Sequence, residues 1–146
     1  GASASTLQRR PRIAAASAVS AVAVSETGGA ARLLWLNREA ATLAGPVPFT
    51  SGHRPARQYD VAMRGAETAL AFFDDASGPS RVVARVFLNP GGEASDLRLD
   101  EGLGLGDFTA NRVRVTSDGE RFLVAFDAVQ RSGPTHVIVR AVTCGP

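Results

Sequence analysis

Alternation of apolar and polar residues with a period of two recurs along this 146-residue chain, and it constrains the fold more than any other feature. The pattern is found in residues 19–24, 97–99, 113–115 and 122–126. Because successive side chains of a β-strand point to opposite faces of its sheet, this pattern predicts strands with one buried face. The sequence therefore predicts an all-β fold of antiparallel, hairpin-rich sheets.

Three local signals refine this prediction. The run Val137–Val142 is almost continuously apolar, which predicts a central strand that is buried on both faces. Residues 38–43 have a composition that fits one or two helical turns, which Gly45-Pro46 would end. The Asp118-Gly119 pair lies between two alternating runs and predicts a β-hairpin in which both residues have positive φ.

The hairpins also resemble one another in sequence, which indicates an internal repeat. The ends of three apolar strands align as Leu34–Asn37, Ala71–Asp74 and Val124–Asp127. The second and third copies continue alike, since Ser77–Arg85 matches Ser132–Arg140. The first copy lacks the Ser-Gly-Pro turn that opens both of these segments.

The repeated unit consists of a strand, a tight turn, an apolar strand, a polar loop and a further strand. In this alignment the turns at residues 26–29, 64–67 and 117–120 are equivalent. A repeat of about 40–55 residues that contains only strands is typical of propeller blades. Over residues 19–142 the chain resembles the degenerate blade repeats of large secreted bacterial β-propeller proteins. The resemblance implies a fold and assigns no functional residue.

The sequence predicts an N-terminal tail of residues 1–12 and one all-β domain at 13–146, with repeat units at about 19–49, 57–90 and 91–142. Propellers have about 4–8 blades, so three units do not close a ring alone. Three alternatives follow: a fragment or subunit whose ring other chains complete, a β-sandwich or small barrel, or an open capping module. Unpaired sheet edges in the first and third alternatives predict a protein partner or self-association.

The absence of lysine excludes several chemistries, because all sixteen basic residues are arginine. A phosphate-binding Walker loop and a Schiff-base enzyme both need lysine. One cysteine and two histidines exclude a cysteine-rich zinc site and an iron–sulfur cluster, and we expect no cofactor. A formal net charge of +2 does not predict a nucleic-acid surface. The basic cluster Arg9, Arg10 and Arg12 indicates a solvated tail, or alternatively an arm for phosphate or anionic lipid.

No apolar run is long enough to span a membrane as a helix. The basic cluster followed by Ile13–Val24 imitates a signal peptide, but we interpret this segment as part of the fold. The small residues at the start, Gly1–Ser5, are compatible with a secreted or cell-envelope protein. The all-arginine composition, rich in alanine and glycine, is typical of high-GC bacterial genomes. Cys144 cannot form an internal disulfide, so it does not identify the compartment.

Carboxylates provide the candidates for chemistry. Asp74, Asp75 and Asp127 follow strands, where they either cap turns or, together with His53, form the acid–base site of a hydrolase. A second group lies among glycines and suggests calcium ligands, although its spacing is not that of an EF-hand and strand-surface residues are the plainer interpretation. Its members are Asp96, Asp100, Glu101 and Asp107. His136 aligns with Arg81, which indicates a solvated strand residue.

Trp35, Arg57 and Tyr59 are the candidate binding residues, because Trp, Tyr and Arg dominate interaction hot spots. Trp35 also aligns with Phe72 and Ala125, which indicates a core position instead. The function predicted from sequence is a non-catalytic binding or assembly module within an oligomer or larger complex. Two alternatives stay open: a lectin-like propeller assembly that binds a glycan, and a hydrolase that uses loop carboxylates.

Overall fold

The computed structural model describes residues 9–25, 31–49, 58–74 and 81–143, and these residues form strands and no helix. The first sheet contains β1 (Arg9–Ala16), β2 (Val19–Ser25), β3 (Arg32–Leu36) and β4 (Thr42–Pro48). The second contains β5 (Tyr59–Arg64), β6 (Glu67–Asp74), β7 (Arg81–Phe87) and β8 (Ala94–Arg98). The third contains β9 (Phe108–Ser117), β10 (Phe122–Gln130) and β11 (Thr135–Val142). Each strand pairs antiparallel with its neighbour in sequence, no sheet closes into a barrel, and the all-β prediction is confirmed.

The sheets begin and end at other residues than the predicted repeat units. The first sheet starts at Arg9, inside the predicted tail, and Ala94–Arg98 completes the second sheet instead of opening the third unit. In the first sheet the turn between the first two strands is Ser17-Ala18, whereas residues 26–29 lie between the second and third strands and outside the described residues. The sequence alignment thus placed its first copy one strand too late, because short apolar strands of similar composition are easily interchanged.

Residues 38–43 form a turn and the start of β4, so the helical prediction is wrong. The side-chain Oδ1 of Asn37 accepts hydrogen bonds from the backbone N–H groups of Glu39 at 3.1 Å and Ala41 at 2.9 Å. Such a side-chain turn offers the backbone an alternative to a helix. β4 continues through Gly45-Pro46, because an edge strand tolerates a residue that cannot donate to the ladder.

The predicted hairpin at Asp118-Gly119 is present, but its loop is longer than a two-residue turn. Ser117 pairs with Phe122, and only Gly119 has positive φ, at 96°. The carboxylate of Asp118 accepts hydrogen bonds from the N–H groups of Arg121 at 2.8 Å and Glu120 at 3.0 Å, and these bonds lower its pKa. The Asp118 side chain therefore fixes this loop, in place of a second residue with positive φ.

The second sheet lies between the other two and is buried on both faces. Along β6, Leu70 and Phe72 pack in a core shared with the first sheet, whereas Ala69, Ala71 and Phe73 pack in a core shared with the third. The sheets approach most closely at their first strands, β1 to β5 and β5 to β9, and lie farther apart toward their last strands. The three sheets therefore fan out from a common edge.

On the first two strands of the first and second sheets the two faces differ in side-chain size. We call the face that points toward the next sheet in the chain the forward face, and the opposite face the rear face. On the third strands, the forward faces carry the larger Leu33, Trp35 and Val82. Alanines line the forward faces of the first and second sheets, at Ala14, Ala16, Ala21 and Ala23, and at Ala62, Ala69, Ala71 and Ala84. Larger side chains line the rear faces of the second and third sheets, among them Val61, Met63, Leu70 and Phe72, and Val113, Val115, Phe122, Val124 and Phe126. Each rear face fills the space that the alanines leave.

The side chain of Asp100 connects the loop that follows β8 to the strand β7. Its Oδ1 accepts hydrogen bonds from the backbone N–H of Val82 at 3.0 Å and from Nε of Arg98 at 3.1 Å, and its Oδ2 accepts one from Arg98 Nη2 at 2.7 Å. Burial opposes ionisation of this carboxyl, but the hydrogen bonds from Arg98 and Val82 outweigh burial and lower its pKa. The ionised carboxylate thus stabilises the folded state.

The Ala71→Leu substitution tests the packing of the forward face. Ala71 is fully buried between the second and third sheets, so the larger side chain should lower the free energy of unfolding by about 1–3 kcal/mol through overpacking. Urea denaturation measures the change. Ala94→Leu at an exposed site on β8 is the control and should change it by less than about 0.5 kcal/mol. If Ala71→Leu and Ala94→Leu both change the free energy of unfolding by the same small amount, the packing between the sheets does not require a small side chain at position 71.

The Asp100→Asn substitution should have a pH-dependent effect. Since the folded pKa of Asp100 is lowered, its stabilisation is complete above the unfolded value and is lost as the pH falls through the folded value. At pH 7 the variant should be less stable by about 1–2 kcal/mol, and the difference should shrink below about pH 4. Chemical denaturation from pH 3 to 7 measures this. Glu93→Gln, an exposed change outside this contact, is the control; a pH-independent difference for Asp100→Asn would contradict the account.

Candidate functional site: the open face of the third sheet

Along β10 and β11 the forward face of the third sheet is largely apolar, and nothing in the described part of the chain covers it. Val137 and Val139 of β11 are 74% and 63% exposed. Beside them on β10 lie Leu123 and Ala125, which are half-buried. We call the surface formed by Leu123, Ala125, Val137, Val139 and Ala141 the open face.

Local sequence explains why these side chains share one face. On β10 the alternation predicted for residues 122–126 is confirmed: Phe122, Val124 and Phe126 are buried against the second sheet. Leu123 and Ala125 point the opposite way. Their partners on β11 are Ala141 and Val139, which therefore lie on the same side.

β11 corrects one sequence prediction. The apolar run Val137–Val142 predicts a central strand, but β11 is an edge strand of a three-stranded sheet and exposes two valines. The first and second sheets each have a fourth strand that the third sheet lacks within the described residues. A sequence suited to burial on both faces is thus left open on one.

A shallow depression of about 310 Å³ lies on the open face next to β9. It is lined by Asp60, Arg114, Val115, Thr116, Leu123, Ala125 and Val139. Its floor is apolar and its rim carries the charged side chains of Asp60 and Arg114. This shape suits a protruding apolar side chain better than a polar small molecule.

The register of the strands shows that the open face repeats the forward faces of the other sheets. In the second sheet Asp60, Ala71 and Ala84 pair across β5, β6 and β7. In the third sheet the corresponding row is Arg114, Ala125 and Val139. In both sheets the first residue of the row lies four residues before the residue that closes the hairpin turn. In the first sheet it is Arg12, Ala23 and Leu33. The offsets between equivalent residues are 48 from Arg12 to Asp60 and 54 from Asp60 to Arg114.

At the covered junction this row makes a polar link between sheets. Oδ2 of Asp60 accepts a hydrogen bond from the backbone N–H of Val115 at 3.0 Å, which joins β5 to β9. Arg114 holds the same position on the third sheet, where it donates from Nη1 to the carbonyl of Val113 at 2.8 Å. The open face therefore carries a donor where the covered face carries an acceptor.

Among the described residues, the rear face of the first sheet is the second surface against which no other sheet packs. Ile13 on β1 is 68% exposed, and Val22, Leu34 and Leu36 on this face are half-buried. These side chains are larger than the alanines of the forward faces. Both ends of the stack thus present apolar surfaces, and the open face is small at Ala125 and Ala141.

The residues predicted to bind a ligand lie elsewhere. Trp35 is fully buried, its Nε1 donates a hydrogen bond to Oγ1 of Thr68 at 2.9 Å, and the prediction of a core position is confirmed. Tyr59 is 4% exposed and packs edge-on against Phe49. Neither Trp35 nor Tyr59 exposes enough of its side chain to contact a ligand. Arg57 lies outside the described residues.

Of the predicted carboxylate site, the structure describes Asp74 and Asp127, which lie on different sheets. Asp74 is buried and accepts hydrogen bonds from Arg81 at 2.9 and 3.1 Å, while Asp75 and His53 lie outside the described residues. Asp127 lies on the forward face of the third sheet, whereas Asp74 lies on the rear face of the second. Their sequence alignment is therefore offset by one residue, which reverses the face of a strand.

The acidic residues near the glycines are engaged by arginines. Asp96 accepts hydrogen bonds from Arg85 at 2.6 and 2.7 Å, which lower the pKa of Asp96 and raise that of Arg85. Asp100 is held by Arg98, while Glu101 and Asp107 are exposed. Within the described ranges, no three His, Cys, Asp or Glu side chains come together to hold a metal ion. His136 is exposed on β11.

Comparison with known proteins finds no relative. No protein-family model matches the chain, and no curated protein or solved structure is significantly similar to it. None of the described residues forms a helix that is long and apolar enough to cross a membrane.

Sequence reasoning did not identify the open face. A usable signal was present in the continuous apolar character of Val137–Val142, which is unexpected for an edge strand. The sequence does not show the position of β11 in its sheet, because this position depends on how many strands pair beyond β11.

The link between Asp60 and β9 can be tested by substitution. Asp60→Ala removes the acceptor of the Val115 N–H and should lower the free energy of unfolding by about 1–2 kcal/mol. Asp60→Asn keeps an oxygen at this position and should recover at least half of the loss. Urea denaturation measures both, with the exposed Thr116→Ala as control. Equal losses for Asp60→Ala and Asp60→Asn would contradict an acceptor role.

Proposed function

We propose that this chain is an assembly module: it binds another protein through uncovered β-sheet faces and works within an oligomer or larger complex. One observation carries the proposal. The open face carries Ala125 at the position of Ala23 and Ala71, which on the first and second sheets are covered by the rear face of the following sheet. A surface built to the same pattern is suited to the same kind of cover, a β-sheet with large apolar side chains.

The energetics of exposure support this function. Burying a valine side chain contributes about 1.5–3 kcal/mol, and the open face leaves Val137 and Val139 largely in water. Contiguous apolar patches on protein surfaces mark interaction sites. A partner that covers the open face would stabilise the complex by burying these apolar side chains, without any catalytic or additional polar group.

The arrangement of the sheets supports a propeller-like assembly. Sheets that fan out from their first strands are rotated relative to one another about a common edge, as blades are about an axis. Three such sheets do not complete a circle of four to eight. On this proposal the remaining sheets come from the partner.

The charged residues favour binding over catalysis. The carboxylates of Asp74, Asp96, Asp100 and Asp118 accept hydrogen bonds from arginine side chains or the backbone, which supports structural roles. Trp35 and Tyr59, the single tryptophan and single tyrosine, are buried and do not provide stacking surfaces for a sugar.

Chemical labelling of engineered cysteines tests whether the open face is covered in the native assembly. In a Cys144→Ser background, Val139→Cys places a thiol on this face and Leu88→Cys places one on an equally exposed site after β7. In cells that natively produce the protein, a maleimide should label position 139 much more slowly than position 88. Mass spectrometry of the recovered chain measures the two rates.

The urea-unfolded chain provides the reference, because both thiols should then react at the same rate. Equal labelling of positions 139 and 88 in the cell would show that the face stays open and would overturn the proposed function.

A further inference from the structure

We infer that the open face is covered by the first sheet of a second copy of this chain, bound head to tail, so that two copies close a ring of six sheets. This inference rests on the proposed assembly function and names its partner. The third sheet of each copy would contact the first sheet of the other, through two identical interfaces.

The first argument is that the first sheet carries the required rear face. Val61 and Leu70 pair on the rear face of the second sheet, and both are buried against the first. The equivalent pair on the third sheet is Val115 and Val124, which are buried against the second.

On the first sheet the same two positions are Ile13 and Val22, which pair across β1 and β2. Ile13 is 68% exposed, although its counterparts Val61 and Val115 are 5% and 7% exposed. The first sheet thus presents large apolar side chains at the positions that are covered in the other two sheets.

The second argument is that the open face is small at a position where both covered forward faces are small. At both covered junctions an alanine of the second strand, Ala23 or Ala71, faces a rear surface of larger side chains. The open face offers Ala125 at this position. A second copy would therefore place large apolar side chains against Ala125, as the chain already does at Ala23 and Ala71.

The third argument concerns closure. Head-to-tail contacts close into a ring when the rotation per step allows it, and otherwise give open filaments. The fan of sheets supplies a rotation at each junction. Because the described residues of each copy form three sheets, two copies give six, within the four to eight of known propellers, whereas one or three copies give numbers outside this range.

Sedimentation equilibrium of the purified chain tests the inference, with three matched arginine substitutions. Ile13→Arg alters the rear face of the first sheet, and Val139→Arg alters the open face. Leu88→Arg is the control, at a site 58% exposed and away from both. All three side chains are exposed in the single chain, so the variants should fold, which circular dichroism verifies.

The wild type and Leu88→Arg should sediment with twice the chain mass of 15.2 kDa. Ile13→Arg and Val139→Arg should each raise the dissociation constant roughly thirtyfold or more, because a charge would replace a central apolar contact. A mixture of the two variants should regain association, since one unaltered interface remains between them.

A wild type that stays monomeric up to millimolar concentration would overturn the inference, as would a mass other than that of a dimer. Loss of the dimer in Val139→Arg but not in Ile13→Arg would also overturn it, because it would indicate that two third sheets meet each other. If the purified chain is monomeric while position 139 is still protected in the cell, the partner is a different protein and the proposed assembly function stands.

Discussion

The packing of large rear-face side chains against alanine-lined forward faces is the interaction on which this structure depends. At Ala71 and Ala69 the forward face is low enough for Phe122, Val124 and Phe126 to lie against it. The same arrangement holds one sheet earlier, where Leu70 and Phe72 lie against Ala21 and Ala23. Since each sheet has a forward and a rear face, the first and third sheets each keep one face against which no other sheet in the described residues packs.

Polar contacts fix the relative positions of sheets that apolar packing alone would leave free to slide. The carboxylate of Asp60 accepts a hydrogen bond from β9, and the guanidinium of Arg64 lies 5.3 Å from the ring centre of Phe122. Arg140 reaches back from the third sheet and donates to the carbonyl of Leu99 at 3.2 Å. Arginine suits this work, since its long side chain spans a junction and keeps its charged end near water.

The strands were predictable because a period of two is a local property. The all-β class and the hairpin at Asp118 follow from residues close in sequence. The order of strands within a sheet is not local. For that reason Leu34–Leu36 was aligned with second strands although it forms a third strand, and Val137–Val142 was predicted to be central although it lies at an edge.

The candidate site was less accessible to sequence reasoning than the fold. Residue type alone predicts Trp35 and Tyr59 as binding residues, but both side chains are buried in the core between the first and second sheets. The open face consists of Leu, Val and Ala, which carry no chemical signature. It is recognised only once the register shows Ala125 at the position of Ala23 and Ala71.

The most direct test of this account is the solvent accessibility of methyl groups on the open face in the assembled protein. Paramagnetic relaxation of methyl signals by a soluble probe measures it, in protein isolated together with whatever it binds. The account predicts that the methyl groups of Val137 and Val139 are protected to the degree of the buried Val82, while those of Leu88 relax rapidly. Relaxation of Val137 and Val139 at the rate of Leu88 would contradict it.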